Sequence, residues 1–295
     1  MSSSPVVWMF DLAARLPLSV LHRLGGALGW MAYLLSGKYA ARLRENLGYG
    51  LEGRPAEEFR KVLNASIAET GKSLVEMPWV WRRPLAEVTG CVRACHGWEY
   101  VETARAKGRG IIFLTPHLGC FEVSALYAAE RIPITVLYRP PKLGWLEQVM
   151  RAGRERGQLR LARTDVGGVR LLFKALKRGE SIGLLPDQVP GNGEGEWANF
   201  FGRPAYTMTL VGRLVESSNA VMLMAYAERL ADGEGYVIRI APLEFVPDSP
   251  ITGQMNAALE AVVCACPAQY LWSYNRYKVP AGAGTKIQDR GARIE

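Results

Sequence analysis

The sequence predicts an α/β domain: a central, mostly parallel sheet with helices on its faces. Three observations carry that reading. Short β-rich runs recur at 110–114, 134–138, 181–185, 220–226 and 236–240. Helical patterns lie between several of them, at 121–130, 143–156, 169–177 and 209–216, and strand alternating with helix is what crossover connections between parallel strands require. The 295 residues are 49% hydrophobic and 22% charged, enough apolar material for one large core.

In chain order, the N-terminal region comes first. It lacks an early basic region and a small-residue cleavage site, which argues against a cleaved signal peptide. Its longest uncharged stretch after the opening residues, 24–37, reaches ~21 Å as a helix, short of the ~30 Å hydrocarbon core. Trp8, Phe10, Leu16, Trp30, Tyr33 and Leu34 are interleaved with Arg15, Arg23, Lys38, Arg42 and Arg44. Such a mixture suits helices lying in or dipping into a membrane interface, with core helices of a soluble protein as the alternative. We therefore expect residues 1–46 to be interfacial or membrane-anchoring helices, 47–280 an α/β domain, and 281–295 a frayed polar tail. Residues 56–78 repeat apolar positions at helical spacing, with Pro78 as the expected stop. Within the domain, GNGEGE at 191–196 is the richest loop signal, of the kind that moves over a site.

Charge and cysteine usage narrow the function. The formal net charge is +8, from 36 Lys and Arg against 28 Asp and Glu, so the surface field favours anionic partners: nucleic acid, anionic lipid or an acidic carrier protein. No basic tract with interleaved aromatics and no zinc-finger spacing is present, which argues against nucleic acid. The five cysteines form an odd set with no CxxC, so neither a disulfide framework nor a metal site is expected. Cys120 could in principle be a nucleophile, but no separate base is recognisable for it, and packing is the simpler reading. His22 and His96 have no motif around them and read as structural.

The chemistry gathers in TPHLGCFE at 115–122. His117 follows the run Ile111-Ile112-Phe113-Leu114, and the helical pattern begins at Phe121, so the motif straddles a strand-to-helix turn. Active sites of open α/β sheets gather at such strand ends. On one regular helix, residues five apart lie about 140° off the same face, so His117 and Glu122 can meet only if His117 precedes the helix. Gly119 permits that bend. In this reading Glu122 binds one ring nitrogen and fixes the tautomer, leaving His117 as a general base. The bland alternative is a strand-end histidine bonded to local backbone, with Glu122 merely favouring the first helical turn. No GxSxG elbow is present, so direct attack by a substrate hydroxyl is simpler than a covalent intermediate.

His117-Leu118-Gly119-Cys120-Phe121-Glu122, an H-x4-E motif, resembles that of the lysophospholipid acyltransferase superfamily in its lipid A biosynthesis late acyltransferase branch, the lauroyl and myristoyl acyltransferases. The later landmarks arrive in that family's order. They are Leu137-Tyr138-Arg139-Pro140, Leu184-Leu185-Pro186-Asp187-Gln188, Phe200-Phe201-Gly202-Arg203-Pro204-Ala205, and Gln269-Tyr270-Leu271-Trp272-Ser273-Tyr274-Asn275-Arg276-Tyr277-Lys278. The match covers nearly the whole chain. Glycerophospholipid acyltransferases of the superfamily usually carry Asp where Glu122 stands. Cys120 and Phe121 stand where the branch often has Asn and Trp, and the N-terminal anchor is less apolar than the branch's usual one.

The resemblance implies a glycerol-3-phosphate acyltransferase-like fold, preceded by a membrane-associated helical segment. It implies transfer of a fatty acyl group from acyl carrier protein to a hydroxyl of a lipid A precursor, at the cytoplasmic face of a bacterial inner membrane, without cofactor or metal. His117 would be the base and Glu122 its orienting group. Arg139 would stabilise the oxyanion or bind a substrate phosphate, and Asp187 would orient substrate or Arg139, with an N-cap or turn role as the alternative. Arg203 would contact phosphate, while Phe200 and Phe201 would line an acyl pocket or pack in the core. Arg276 and Lys278 read as a solvated basic end, and Met208, Met222 and Met224 as candidates for setting chain length. A lysophospholipid, another glycolipid or a metabolite hydroxyl is the alternative acceptor, and a non-catalytic lipid-binding module the remaining alternative.

Overall fold

The computed structural model describes residues 5–281 except residue 192, together with residue 283. Asn192 of the glycine-rich loop and nearly all of the expected tail lie outside the described residues. The chain opens with four helices, α1 (Pro5–Arg15), α2 (Leu18–Leu35), α3 (Gly37–Gly50) and α4 (Ala56–Arg82). There follow α5 (Leu85–Gly90), β1 (Val92–His96), α6 (Trp98–Ala106), β2 (Ile111–Leu114), α7 (Phe121–Arg131), β3 (Ile134–Tyr138), α8 (Gly144–Arg154), β4 (Leu159–Arg163), α9 (Val166–Lys177) and β5 (Ser181–Leu184). A hairpin of β6 (Gly195–Phe200) and β7 (Arg203–Met208) leads into α10 (Leu210–Glu216), β8 (Val221–Arg229), β9 (Tyr236–Pro242) and α11 (Ile251–Ala265).

Seven strands form one sheet in the order β1-β9-β8-β2-β5-β3-β4, parallel throughout except for the β8–β9 pair. Its central strands are apolar on both faces. Ile112, Leu114, Ile182 and Leu184 pack toward α9, α10 and α11, while Ile111, Phe113, Ile134 and Val136 pack toward α6 and α7. A sheet covered on both sides in this way reads as continuous apolar runs.

Three parts of the fold depart from the expected one. Helix α4 runs through Pro78 to Arg82, because Trp79 and Val80 are buried in the core and a proline in the last turn removes a single helical hydrogen bond. Arg83, held extended before Pro84, is the actual stop. Strands β1 and β4 are the two sheet edges, and Arg93, Arg160 and Arg163 interrupt their apolar pattern. The β6–β7 hairpin turns on Phe201 and Gly202 with φ of 47° and 68°, a two-residue turn whose twist suits the strands.

Among the described residues no helix is long and apolar enough to cross a membrane, so a membrane-spanning N-terminus is unsupported. Instead α2 packs closely along α4. A Cβ on Gly71 would lie 1.9 Å from the Gly25 carbonyl oxygen, so the approach requires glycine. The opposite side of α2 exposes Leu24, Leu28, Met31 and Leu35, spaced as a single helical stripe.

Candidate active site

His117 stands three residues past β2, on a turn held from two sides. Gly119 has φ of 58°, and a Cβ there would lie 2.0 Å from the Ala227 carbonyl oxygen, so this turn needs glycine. Cys120 N–H donates to the same carbonyl at 2.9 Å, and Leu271 N–H donates to the His117 carbonyl at 3.0 Å. The turn thus delivers the ring to the carboxyl ends of β2, β3 and β5, as expected of an open α/β sheet.

The ring's partner differs from the one the H-x4-E spacing suggests. His117 Nδ1 lies 2.8 Å from Asp187 Oδ1, and the His117 backbone N–H donates to Asp187 Oδ2 at 2.8 Å. Asp187 follows β5 and is buried. Glu122 instead accepts Arg154 Nε on both oxygens at 2.9 Å, and Arg154 Nη2 on Oε1. The reason is rotational: α7 begins at Phe121, so Glu122 already follows helical geometry and meets the last residue of α8. Asp187, in turn, is occupied with His117 rather than Arg139.

The electrostatics around Asp187 are consistent with its staying ionised. Burial pushes its carboxyl up, but the His117 ring and backbone N–H outweigh that and hold it below the ordinary value. Burial, with the nearby Asp187 carboxylate adding to it, drives the Tyr270 phenol well above its usual range. A carboxylate at Nδ1 requires that nitrogen to carry the proton, which leaves the Nε2 lone pair free. Gln188 Nε2 occupies it at 3.1 Å, while the Phe121 ring meets the imidazole edge-on at 5.0 Å between centroids.

From Nε2 a cavity of about 310 Å³ runs between α7 and the sheet. Phe113, Val136, Leu161, Ala225, Ile238 and Ile240 give it apolar walls. Both Glu122 and Arg154 line it, Arg154 behind its carboxylate clamp and with Trp81 5.9 Å from its guanidinium. Arg139 also lines it and is exposed. The cavity therefore offers an oriented imidazole, a clamped guanidinium and an exposed one beside an apolar channel.

Other expectations are corrected. Phe200 and Phe201 are buried against Tyr270 and Trp272, in the core on the opposite sheet face from the cavity. Arg203 lies over the Tyr49 ring at 4.9 Å and 4.0 Å from Glu52, outside the cavity. Met208 lines the cavity, whereas Met222 and Met224 point to the far face with the other core residues. Arg276, expected in solvent, is 3% exposed and donates to the Tyr206 carbonyl and the Thr207 hydroxyl. It anchors the C-terminal segment whose Tyr274 hydroxyl accepts Val189 N–H at 3.0 Å. That segment is a strap over the His117–Asp187 pair. The Cys120 thiol is fully buried and pushed well above its ordinary value, first by burial and then by the nearby Glu76 carboxylate, which removes it as a nucleophile. Arg154, Gln188 and Tyr270 went unassigned from sequence; Gln188 and Tyr270 lie inside quoted landmarks, while Arg154 carries no local signal.

Comparison with known proteins agrees with these landmarks. A family model described as bacterial lipid A biosynthesis acyltransferase matches residues 4–279. The chain is 29% identical over 293 residues to the lipid A biosynthesis lauroyltransferase of Escherichia coli strain K12, covering 95% of this chain and 92% of that one. It is 29% identical over 286 residues to the lipid A biosynthesis palmitoleoyltransferase of the same strain, at 94% and 90% coverage. To the corresponding myristoyltransferase it is 27% identical over 184 residues, covering 60% and 56%.

Proposed function

Because the chain belongs to the bacterial lipid A biosynthesis acyltransferase family, we propose that it transfers a fatty acyl group from an acyl carrier protein thioester to a hydroxyl of a lipid A precursor, with His117 as general base. The observation that carries this reading is the orientation of the imidazole: Nδ1 is spent on Asp187 and Nε2 faces the apolar cavity.

The acceptor hydroxyl displaces the Gln188 amide from Nε2 and gives up its proton there as its oxygen attacks the thioester carbonyl. Asp187 stabilises the imidazolium that forms. Arg154, fixed by Glu122, is the preorganised donor for the oxyanion, since a pinned guanidinium needs no reorganisation when charge develops. Collapse breaks the C–S bond, and the imidazolium proton goes to the departing thiolate. An ester and a free carrier thiol result. Arg139, exposed at the cavity, suits a phosphate on the acceptor or carrier. The +8 charge fits the same anionic partners.

The reaction would take place at the cytoplasmic face of the bacterial inner membrane. The exposed stripe Leu24, Leu28, Met31 and Leu35, flanked by Arg23 and Lys38, supports interfacial docking rather than a span. Two assays test the proposal. Purified protein given acyl carrier thioester and lipid A precursor should release free carrier thiol and yield a product heavier by one acyl chain; release without the heavier product would remove the acceptor assignment. Leu28→Asp with Leu35→Asp should lose flotation with anionic vesicles, and full flotation would place the docking surface elsewhere.

A further inference from the structure

We propose that Arg229 and Glu76 form a buried clamp whose task is to fix the turn carrying His117, making them positioning residues for the transfer described above. The proposal rests on His117 being the base. Arg229 ends β8 with its side chain 1% exposed. Its Nε donates to Glu76 Oε2 at 3.0 Å and its Nη2 to Glu76 Oε1 at 2.5 Å, while Nη1 donates to Glu69 Oε2 at 2.6 Å. The remaining reach of Nη2 goes to the carbonyl oxygen of Gly119, at 3.1 Å, two residues from His117.

The surroundings point the same way. Glu76 sits in the C-terminal third of α4, fully buried, and also receives the Tyr236 hydroxyl at 3.0 Å and lies 3.2 Å from His22 Nε2. Burial pushes its carboxyl up, but the Arg229 guanidinium outweighs this and brings it down to about 2. Gln269 completes the grip. Its side chain bonds both the N–H and the carbonyl of Arg229 at 2.8 Å, and its own carbonyl accepts Gly119 N–H at 3.1 Å. One unit thus holds both the N–H and the carbonyl of Gly119.

Stability alone does not explain such a cluster, because a buried ion pair is often matched or exceeded by apolar residues of the same volume. A fixed geometry does explain it. The guanidinium presents donors on several edges at once, and here three edges are used on Glu76, Glu69 and the turn. A lysine ammonium keeps the charge but cannot span all three. The turn would then lose the side-chain grip on the Gly119 carbonyl and keep its Asp187 and backbone contacts.

The test compares Arg229→Lys with Arg83→Lys, a second arginine that grips backbone carbonyls, those of Ala14 at 2.6 Å and Arg15 at 3.0 Å, far from the turn. Arg229→Lys should lower kcat by about 10²-fold, the cost of misplacing a reacting group by roughly an ångström, with KM for the acyl thioester nearly unchanged. Arg83→Lys should leave kcat near that of the parent. With three histidines in the chain, the His117 Nδ1–H proton can be followed by nitrogen-15 NMR, and it should shift in Arg229→Lys but not in Arg83→Lys. Unchanged kcat in folded Arg229→Lys overturns the clamp. If that variant does not fold, Tyr236→Phe removes one donor from Glu76 while keeping the ring; a few-fold loss of kcat with a shifted His117 signal supports the clamp, and no change in either overturns it. Retention of transfer by His117→Ala would instead remove the base assignment on which the clamp rests.

Discussion

His117 and His22 each meet a carboxylate, Asp187 at 2.8 Å and Glu76 at 3.2 Å. His22 is sealed: Nε2 faces Glu76, Nδ1 has no hydrogen-bond partner among the described residues, and the residue is 3% exposed. The His117 side chain is 17% exposed, with Nε2 opening past Gln188 onto the cavity. A histidine–carboxylate pair is therefore not by itself a catalytic feature. What separates the two is whether the second nitrogen has access to a substrate and whether charge-stabilising groups line the same space.

The largest expected difference between them is kinetic. His117→Ala should lose about 10²–10⁴-fold in turnover while keeping its circular dichroism spectrum, the range typical of a lost general base. His22→Ala should keep turnover within a few-fold and lose about 1–3 kcal/mol of unfolding free energy, the cost of an unsatisfied buried partner. Equal loss of turnover in both would erase the distinction.

On the cavity side, Arg154→Lys should cost about 10²–10³-fold in kcat, as expected for a preorganised oxyanion donor. Steady-state release of carrier thiol measures it, and a change confined to KM would move Arg154 from charge stabilisation to binding.

The sealed side should reveal itself in acid. Glu76 titrates at about 2 in the folded protein against an ordinary 4.5. A depressed carboxylate contributes stability that is fully present above its unfolded value and is lost as pH falls through its folded one. Roughly 3 kcal/mol should therefore disappear between about pH 4.5 and 2. Urea unfolding across that window should show a steep acid limb in the parent and a flatter one in Glu76→Gln; parallel limbs would contradict the assignment. The smallest effect is at the mouth. Arg139→Lys keeps the charge but loses the planar fork, so KM should rise about tenfold with kcat little changed.

Much of this was legible from sequence because the central strands are doubly buried. Ile111–Leu114 and Ser181–Leu184 are buried throughout, apolar but for Ser181 and Gly183, and bracketed by helical patterns, so the parallel core and the turn carrying His117 could be read directly. Edge strands could not, since Arg93 and Arg160 obey the demands of a sheet edge rather than of a core. The site divided in the same way. His117 and Asp187 were both singled out, but their pairing crosses 70 positions and is created by neighbouring strands β2 and β5. The five-residue spacing to Glu122 offered a local partner that helix geometry turns toward Arg154. Phe200, Phe201 and Arg276 were misplaced for a related reason: an aromatic pair or an arginine near a motif carries no information about which sheet face receives it.

Asp187, rather than Glu122, keeps His117 in the tautomer with a free Nε2, and the turnover of Asp187→Asn tests this most directly. Two donors converge on the carboxylate, the His117 backbone N–H on Oδ2 and the ring Nδ1–H on Oδ1. An asparagine has one oxygen. If it serves the backbone N–H, its amide nitrogen faces Nδ1 and forces the proton onto Nε2, removing the base. In such an arrangement turnover should fall by on the order of 10³–10⁴-fold with the fold intact, as loss of the orienting carboxylate does in a histidine-based acyl transfer site. An Asp187→Asn protein that is folded and turns over within a few-fold of the parent would contradict the account.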